Sequence, residues 1–271
     1  MKAENGDPLA QFDLASRYLA GKEIPQDYEA AASWLQKSAK TGNSPAQFAL
    51  GVLYATGNGV SQDNQAAKSW IDQAGANGFI PAQLWSAAER GSAEAQLNLG
   101  LMFLSGKDVA PNRELALQFL ARSADQKFSP AQFQVGLLNH QRQNFAEAAK
   151  WYRMAADQGL AEAESNLGSL YAAGQGVPQD FTQAEALYRK AAEQGVAGAQ
   201  FNLGMMYVQG VGVAQDFVQG YGWFILAADQ KMEHAAIAKE QLADALSQVQ
   251  IDEAEAWARK WQASKPAAAK P

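Results

Sequence analysis

Apolar residues along this chain follow helical spacing, not the alternation of a strand. In the stretch 163–171, Ala163, Leu167, Gly168 and Tyr171 stand at offsets 0, 4, 5 and 8, on one helical face. Gly174-Gln175-Gly176-Val177-Pro178 then breaks the helix, because two glycines and a proline form a turn. Asp180 follows as an N-cap. From Phe181 to Glu193 a second helix turns Ala184, Leu187, Tyr188 and Ala191 inward, and Gly195 ends it. One unit is therefore helix, glycine turn, helix.

The unit recurs. The alanine of an Ala-Gln-Phe phrase, or a close relative of it, stands at Ala10, Ala46, Ala82, Ala95, Ala131, Ala163, Ala199 and Ala235. The intervals are 36, 36, 13, 36, 32, 36 and 36 residues. A period of roughly 20–50 residues marks a stacked array. Offset 5 is Gly51, Gly100, Gly136, Gly168 and Gly204, with Ala15 in the first unit. Glycine inside a helix costs about 1 kcal/mol against alanine, so its repetition predicts a close approach of the partner helix. Offset 8 is aromatic at Tyr18, Tyr54, Phe103, Tyr171 and Tyr207. The second helix carries Trp34, Trp70, Phe119, Trp151, Leu187 and Trp223, and the register places the tryptophans in the core.

The departures from regularity organise the chain. Between Ala82 and Ala95 there is room for one short helix only, and Ala87-Ala88-Glu89-Arg90-Gly91 reads like the close of a second helix. We infer a fused repeat that lost about 23 residues relative to the 36-residue period, with a bend there. In the 32-residue unit, Asn139-His140-Gln141-Arg142-Gln143-Asn144 replaces the longer turn. Two units over 1–80, the truncated repeat at 81–91 and four units over 92–231 result. A terminal helix and a capping helix follow over 232–262, with Trp257 and Trp261 one turn apart, then a disordered tail at 263–271. Lys2-Ala3-Glu4-Asn5-Gly6 looks like Lys190-Ala191-Ala192-Glu193-Gln194-Gly195 with one residue missing. The chain is therefore expected to open on a helix end, an upstream signal, anchor or repeat having been removed.

The Leu-Gly-x-x-Tyr segments, the Gly-x-Gly-Val turns, the Gln-Asp pairs before the second helix and the Trp or Leu-Tyr before Ala-Ala-x-Gln-Gly resemble the Sel-one-like repeat (SLR) family. That family is a relative of the tetratricopeptide repeat, and the likeness covers about residues 2–245. It implies an all-α, right-handed superhelical α-solenoid of antiparallel helix pairs. It also implies an adaptor or partner-binding scaffold and a bacterial source. A periplasmic or secreted location follows from the resemblance if a signal has been removed, and a cytoplasmic one otherwise.

Composition narrows the chemistry. The 48% hydrophobic content is ample for a core, yet no apolar run reaches the 18 or so residues of a membrane span. A net charge of −6 argues against nucleic acid, which needs a concentrated basic surface. With no cysteine, disulfides and thiolate metal sites are excluded. Of the two histidines, His140 lies at the shortened turn and His234 at the start of a late helix; both read as surface residues, not as metal ligands or members of a catalytic triad. The glycine turns follow helices and lack a Lys-Ser/Thr, so they are turns and not phosphate loops. The expectation is no enzyme, no cofactor and no metal.

By analogy with tetratricopeptide arrays, offsets 2, 6 and 9 of each first helix face a concave groove. They supply candidate partner contacts at Phe48 and Val52, at Leu97, Leu101 and Leu104, at Phe133, Leu137 and His140, and at Phe201 and Met205. The fifth unit offers only Ser165, Ser169 and Ala172. A large exposed apolar patch marks a contact site, although the aromatic at offset 2 can equally pack between units. The leading reading is a non-catalytic scaffold clamping another protein. Its specific form is a bacterial toxin-neutralising immunity protein, whose acidic charge would suit a basic effector surface. A binder of small or cell-wall ligands is the alternative from another class, and a self-assembling spacer a third; a monomer is expected.

Overall fold

The structure is a computed structural model that describes residues 2–264. The described residues are helical throughout, with no strand. They fall into two compact units, Met1–Ala131 and Gln132–Pro271. The first holds α1 (Pro8–Ala20), α2 (Tyr28–Lys40), α3 (Ser44–Thr56), α4 (Asn64–Ala76), α5 (Ile80–Glu89), α6 (Ala93–Ser105) and α7 (Arg113–Asp125). The boundary falls within α8 (Ser129–Gln141). The second unit continues with α9 (Phe145–Ala156), α10 (Ala161–Ala173), α11 (Phe181–Glu193), α12 (Ala197–Gln209) and α13 (Phe217–Asp229). It ends with α14 (Glu233–Ala243) and α15 (Gln248–Ser264). Packing is densest within the pairs α1/α2, α3/α4, α6/α7, α10/α11 and α12/α13, as an α-solenoid requires. The tail expected at 263–271 lies, from residue 265 on, outside the described residues.

The offset-5 glycines do what their repetition predicts. A Cβ on Gly51 would stand 2.6 Å from Ile71, on Gly100 2.6 Å from Leu120, on Gly136 2.6 Å from Tyr152 and on Gly204 2.7 Å from Phe224. These partners correct the sequence reading of the second helix. Trp223 is buried, but Trp34, Trp70 and Trp151 are only half-buried. The residue after each tryptophan, namely Leu35, Ile71, Tyr152 and Phe224, is the one that fills the space over the glycine or alanine of the first helix. A one-residue rotation on a helix is about 100°, and pattern alone did not resolve it.

Gln-Asp pairs close four of the turns within helix pairs. Asp27, Asp63, Asp180 and Asp216 cap their helices, accepting from backbone N–H groups at 2.9–3.0 Å. The preceding Gln26, Gln62, Gln179 and Gln215 each donate Nε2 to a carbonyl seven residues back, at 2.8–2.9 Å. Both residues are thus consumed by the backbone groups that helix ends leave unpaired.

The glutamine of the alanine phrase has a role that sequence reading did not find. Gln11, Gln47, Gln96 and Gln200 are buried and donate Nε2 to the carbonyl eight residues back, on the end of the preceding segment. Three of the four also accept through Oε1, Gln47 from Asn77, Gln96 from Gln126 and Gln200 from Gln230, while the buried Gln11 Oε1 has no partner among the described residues. A buried amide with both ends paired is stable in the core.

Glu164 breaks this ladder. It is 4% exposed and its carboxylate accepts from Gln194 at 2.8 Å. Once ionised it has no proton to donate to Ala156, eight residues back. Burial raises its pKa above the ordinary 4.5, partly opposed by Lys190 and by Gln194. A raised carboxyl pKa means stability that is full below pH 4.5 and lost as the pH climbs through the folded-state value. Glu164→Gln is therefore expected to stabilise the protein by about 1 kcal/mol at pH 7. The gain should shrink to nothing in the acid range, below the ordinary carboxyl pKa. Urea denaturation at the two pH values checks both sign and pH dependence.

Candidate partner-binding surface

The first-helix residues divide by exposure. In the first unit Phe48, Val52 and Leu97 belong to the buried set, at 2%, 8% and 9% exposure. The Phe48 ring packs on Phe79 at 5.6 Å, Trp85 at 6.0 Å and Phe103 at 6.4 Å. Their packing fits the reading in which offset 2 joins neighbouring units. Leu101 and Leu104 are half-buried, and Leu104 leans on the same aromatic cluster. Phe48 and Val52 also line a small pocket with Phe12, Leu19, Phe103 and Val109, so this side of α1, α3 and α6 is apolar.

In the second unit Phe133 and Leu137 are half-buried against the cluster around Tyr152, the two rings 5.8 Å apart. His140 is exposed and meets the Phe145 ring edge-on at 5.2 Å. Phe201 lies 5.6 Å from Phe224, and Met205 packs beside it, half-buried. Between these two patches the fifth repeat is polar: Ser165 is buried, and the Ser169 hydroxyl accepts from the Tyr188 phenol at 3.0 Å. Burial raises the Tyr188 pKa, so this phenol stays a donor at neutral pH.

Sequence reasoning missed a different concavity. Helix α5 is a hybrid. Its start behaves as a first helix, with Ala82 buried and Gln83 donating to Gly75, eight residues back. Its end behaves as a second helix, with the Ala88 carbonyl accepting from Gln96. The half-repeat that would lie between these two parts is missing. In its place is a cleft of about 580 Å³ beside α4 and α5. The 13-residue step was the signal available for it.

Among the described residues no group of acidic or histidine side chains is placed to hold a metal ion, and no helix is long and apolar enough to cross a membrane.

A Sel1 repeat family model matches residues 8–43, 44–79, 93–128, 129–160, 161–196 and 197–232, well over half of the chain. The chain belongs to the Sel1 repeat family. Helix α5 falls in the gap between the second and third Sel1 repeats. Sel1 repeats typically mediate protein–protein interaction, on a scaffold that is generally non-enzymatic. Among solved Sel1-type structures, a protective antigen of uropathogenic Escherichia coli is 28% identical with a TM-score of 0.64; the match covers 99% of this chain and 66% of that one. This chain thus spans just under two thirds of that protein's length. A Sel1 repeat protein from Oxalobacter formigenes is 30% identical with a TM-score of 0.55, over 89% of this chain and 77% of its own. An immunity protein from Pseudomonas aeruginosa is 20% identical with a TM-score of 0.40, over 82% of this chain and 81% of its own, a likeness too low to bear on function. No curated protein matches by sequence.

Proposed function

We propose that the protein is a non-catalytic scaffold that holds a partner protein against the first-helix faces of its repeats. The supporting observation is the set of half-buried apolar side chains at Leu101 and Leu104 in the first unit, and at Phe133, Leu137, Phe201 and Met205 in the second. Half-buried leucine, phenylalanine and methionine leave apolar area that a partner would remove from water, at about 25 cal/mol per Å². Methionine adapts to varied contact shapes. The net charge of −6 favours a partner with a basic surface and an association rate that falls with salt.

The test is a Leu101→Asp/Leu137→Asp variant of the full chain, compared with the wild type in co-purification from native lysate and mass spectrometry. Each aspartate places a charge in the apolar surface, so specific partners should be lost at least tenfold. Far-UV circular dichroism must show the helices intact. A folded double variant that retains every partner of the wild type refutes the reading.

A further inference from the structure

The cleft beside α5 has a structural origin that also indicates what it would bind. In three of the repeats the glycine turn lies on the start of the second helix of the repeat before. A Cβ on Gly59 would be 2.2 Å from the Tyr28 carbonyl carbon, on Gly176 2.3 Å from that of Phe145, and on Gly212 2.7 Å from the Phe181 oxygen. The start of α4 is where the next such turn would lie, but α5 has no turn of this kind to supply. The space is left as a cleft whose size is that of a small-ligand or short-peptide pocket.

Its walls are chemically distinct. Ala55, Ala67, Ile71 and Trp85 form an apolar floor, and Trp85 is half-buried in it. Lys68, Asp72, Glu89 and Arg90 stand around the edge. Each of the two acids is already paired, Asp72 with Lys68 and Glu89 with Arg122, the latter at 2.7 Å. The exposed Arg90 guanidinium has no ion pair or hydrogen bond among the described residues. In a chain of net charge −6, this cleft therefore carries one uncompensated positive charge beside an apolar floor.

We propose that the cleft is a second docking site, centred on α4 and α5, and that it takes an acidic peptide segment of a partner protein. A bulky apolar side chain of that segment lies on the floor beside Trp85, and a neighbouring carboxylate pairs with Arg90. Arginine suits this role because its planar fork accepts a carboxylate in two parallel hydrogen bonds. Aromatic and arginine side chains together are the common anchors of protein interfaces.

The probe is the blocked peptide acetyl-Glu-Phe-Glu-amide, titrated into the ¹⁵N-labelled full chain and followed by NMR. The expected result is a saturable shift of the Trp85 indole and Arg90 side-chain N–H signals. Acetyl-Gln-Phe-Gln-amide should bind about tenfold more weakly, since a charge-assisted hydrogen bond is lost. Acetyl-Glu-Ala-Glu-amide should be weakened similarly by the missing ring. Arg90→Glu, an exposed change, should reproduce the loss, and Ser86→Trp should fill the cleft and abolish the shift. The Leu101→Asp/Leu137→Asp variant should bind the peptide like the wild type.

The proposal is overturned if the acidic peptide gives no saturable shift at Trp85. It is equally overturned if Arg90→Glu, still helical, binds the peptide unchanged, or if the uncharged peptide binds as well as the acidic one. Loss of the shift in the Leu101→Asp/Leu137→Asp variant alone would assign the peptide to the first-helix surface and remove this site.

Discussion

Gly176→Ala is expected to destabilise the second unit by about 3 kcal/mol, the sum of two effects. The first is conformational: Gly176 has φ +70°, and an L side chain there costs about 1 kcal/mol or more. The second is contact. The new methyl would stand 2.3 Å from the carbonyl carbon of Phe145 and 2.4 Å from the Ala146 nitrogen. Both are backbone atoms of α9, so no rotamer change relieves the clash and the turn must lift from the helix. The molecule contains its own control. Asp108 occupies the matching place in the α6–α7 turn, with φ +64°. It lines the small pocket with Phe12, Leu19 and Pro45, and its side chain adjoins that open space. Asp108→Gly should therefore gain about 1 kcal/mol, and Asp108→Ala should lose less than about 1 kcal/mol. Urea denaturation measures the magnitudes. Hydrogen exchange should show the Gly176→Ala loss concentrated in α9, α10 and α11, because stability in a repeat array is a sum of local terms. An alanine variant at Gly176 as stable as the wild type would contradict the geometry.

Phe103→Ala should cost about 3–5 kcal/mol, the range for a buried phenylalanine. Phe103 is 1% exposed. Its ring is stacked on Phe119 at 6.2 Å and touches Trp85 edge-on at 6.2 Å, while Phe48 lies on a further side at 6.4 Å. Removing it opens a cavity among the three aromatic rings it touches and forfeits their pair terms. Phe103 is also the place where the short step leaves its mark on chemistry. In the second unit the matching Tyr171 and Tyr207 accept from Arg153 and Arg189, each eighteen residues upstream. Eighteen residues before Phe103 stands Trp85, so at the fused repeat a ring pair replaces the arginine–phenol pair. Phe103→Tyr should therefore be destabilising, since the added hydroxyl meets an aromatic cluster with no arginine to bond. Thermal denaturation separates the two variants: the tyrosine should lose less than the alanine. A neutral alanine variant would mean that the cluster is not a core.

The regular part of the molecule was legible in the chain itself because it depends on local chemistry repeated many times. Helix periodicity, glycine turns, Asp180 and its fellows as caps, and the offset-5 glycines under a close-packed helix all follow from spacing and residue type, and together they specify an α-solenoid. The absence of a cysteine framework was equally plain. What only the tertiary structure decided depends on rotation about helix axes and on contacts between segments far apart in sequence. Leu35, Ile71, Tyr152 and Phe224, not the half-buried tryptophans before three of them, fill the space over the first helix. Phe48, Val52 and Leu97 turned out to be buried by neighbouring repeats, while Leu101, Leu137 and Met205 kept part of their surface. The glutamine of the alanine phrase showed its reason only when its two partners, eight residues back and about one repeat ahead, came within hydrogen-bond reach. The 13-residue step announced that half a repeat was missing, but a sequence has no volume. The cleft with Trp85 at its floor and an unpaired Arg90 at its edge exists only once α4 and α5 are packed and nothing fills the place between them.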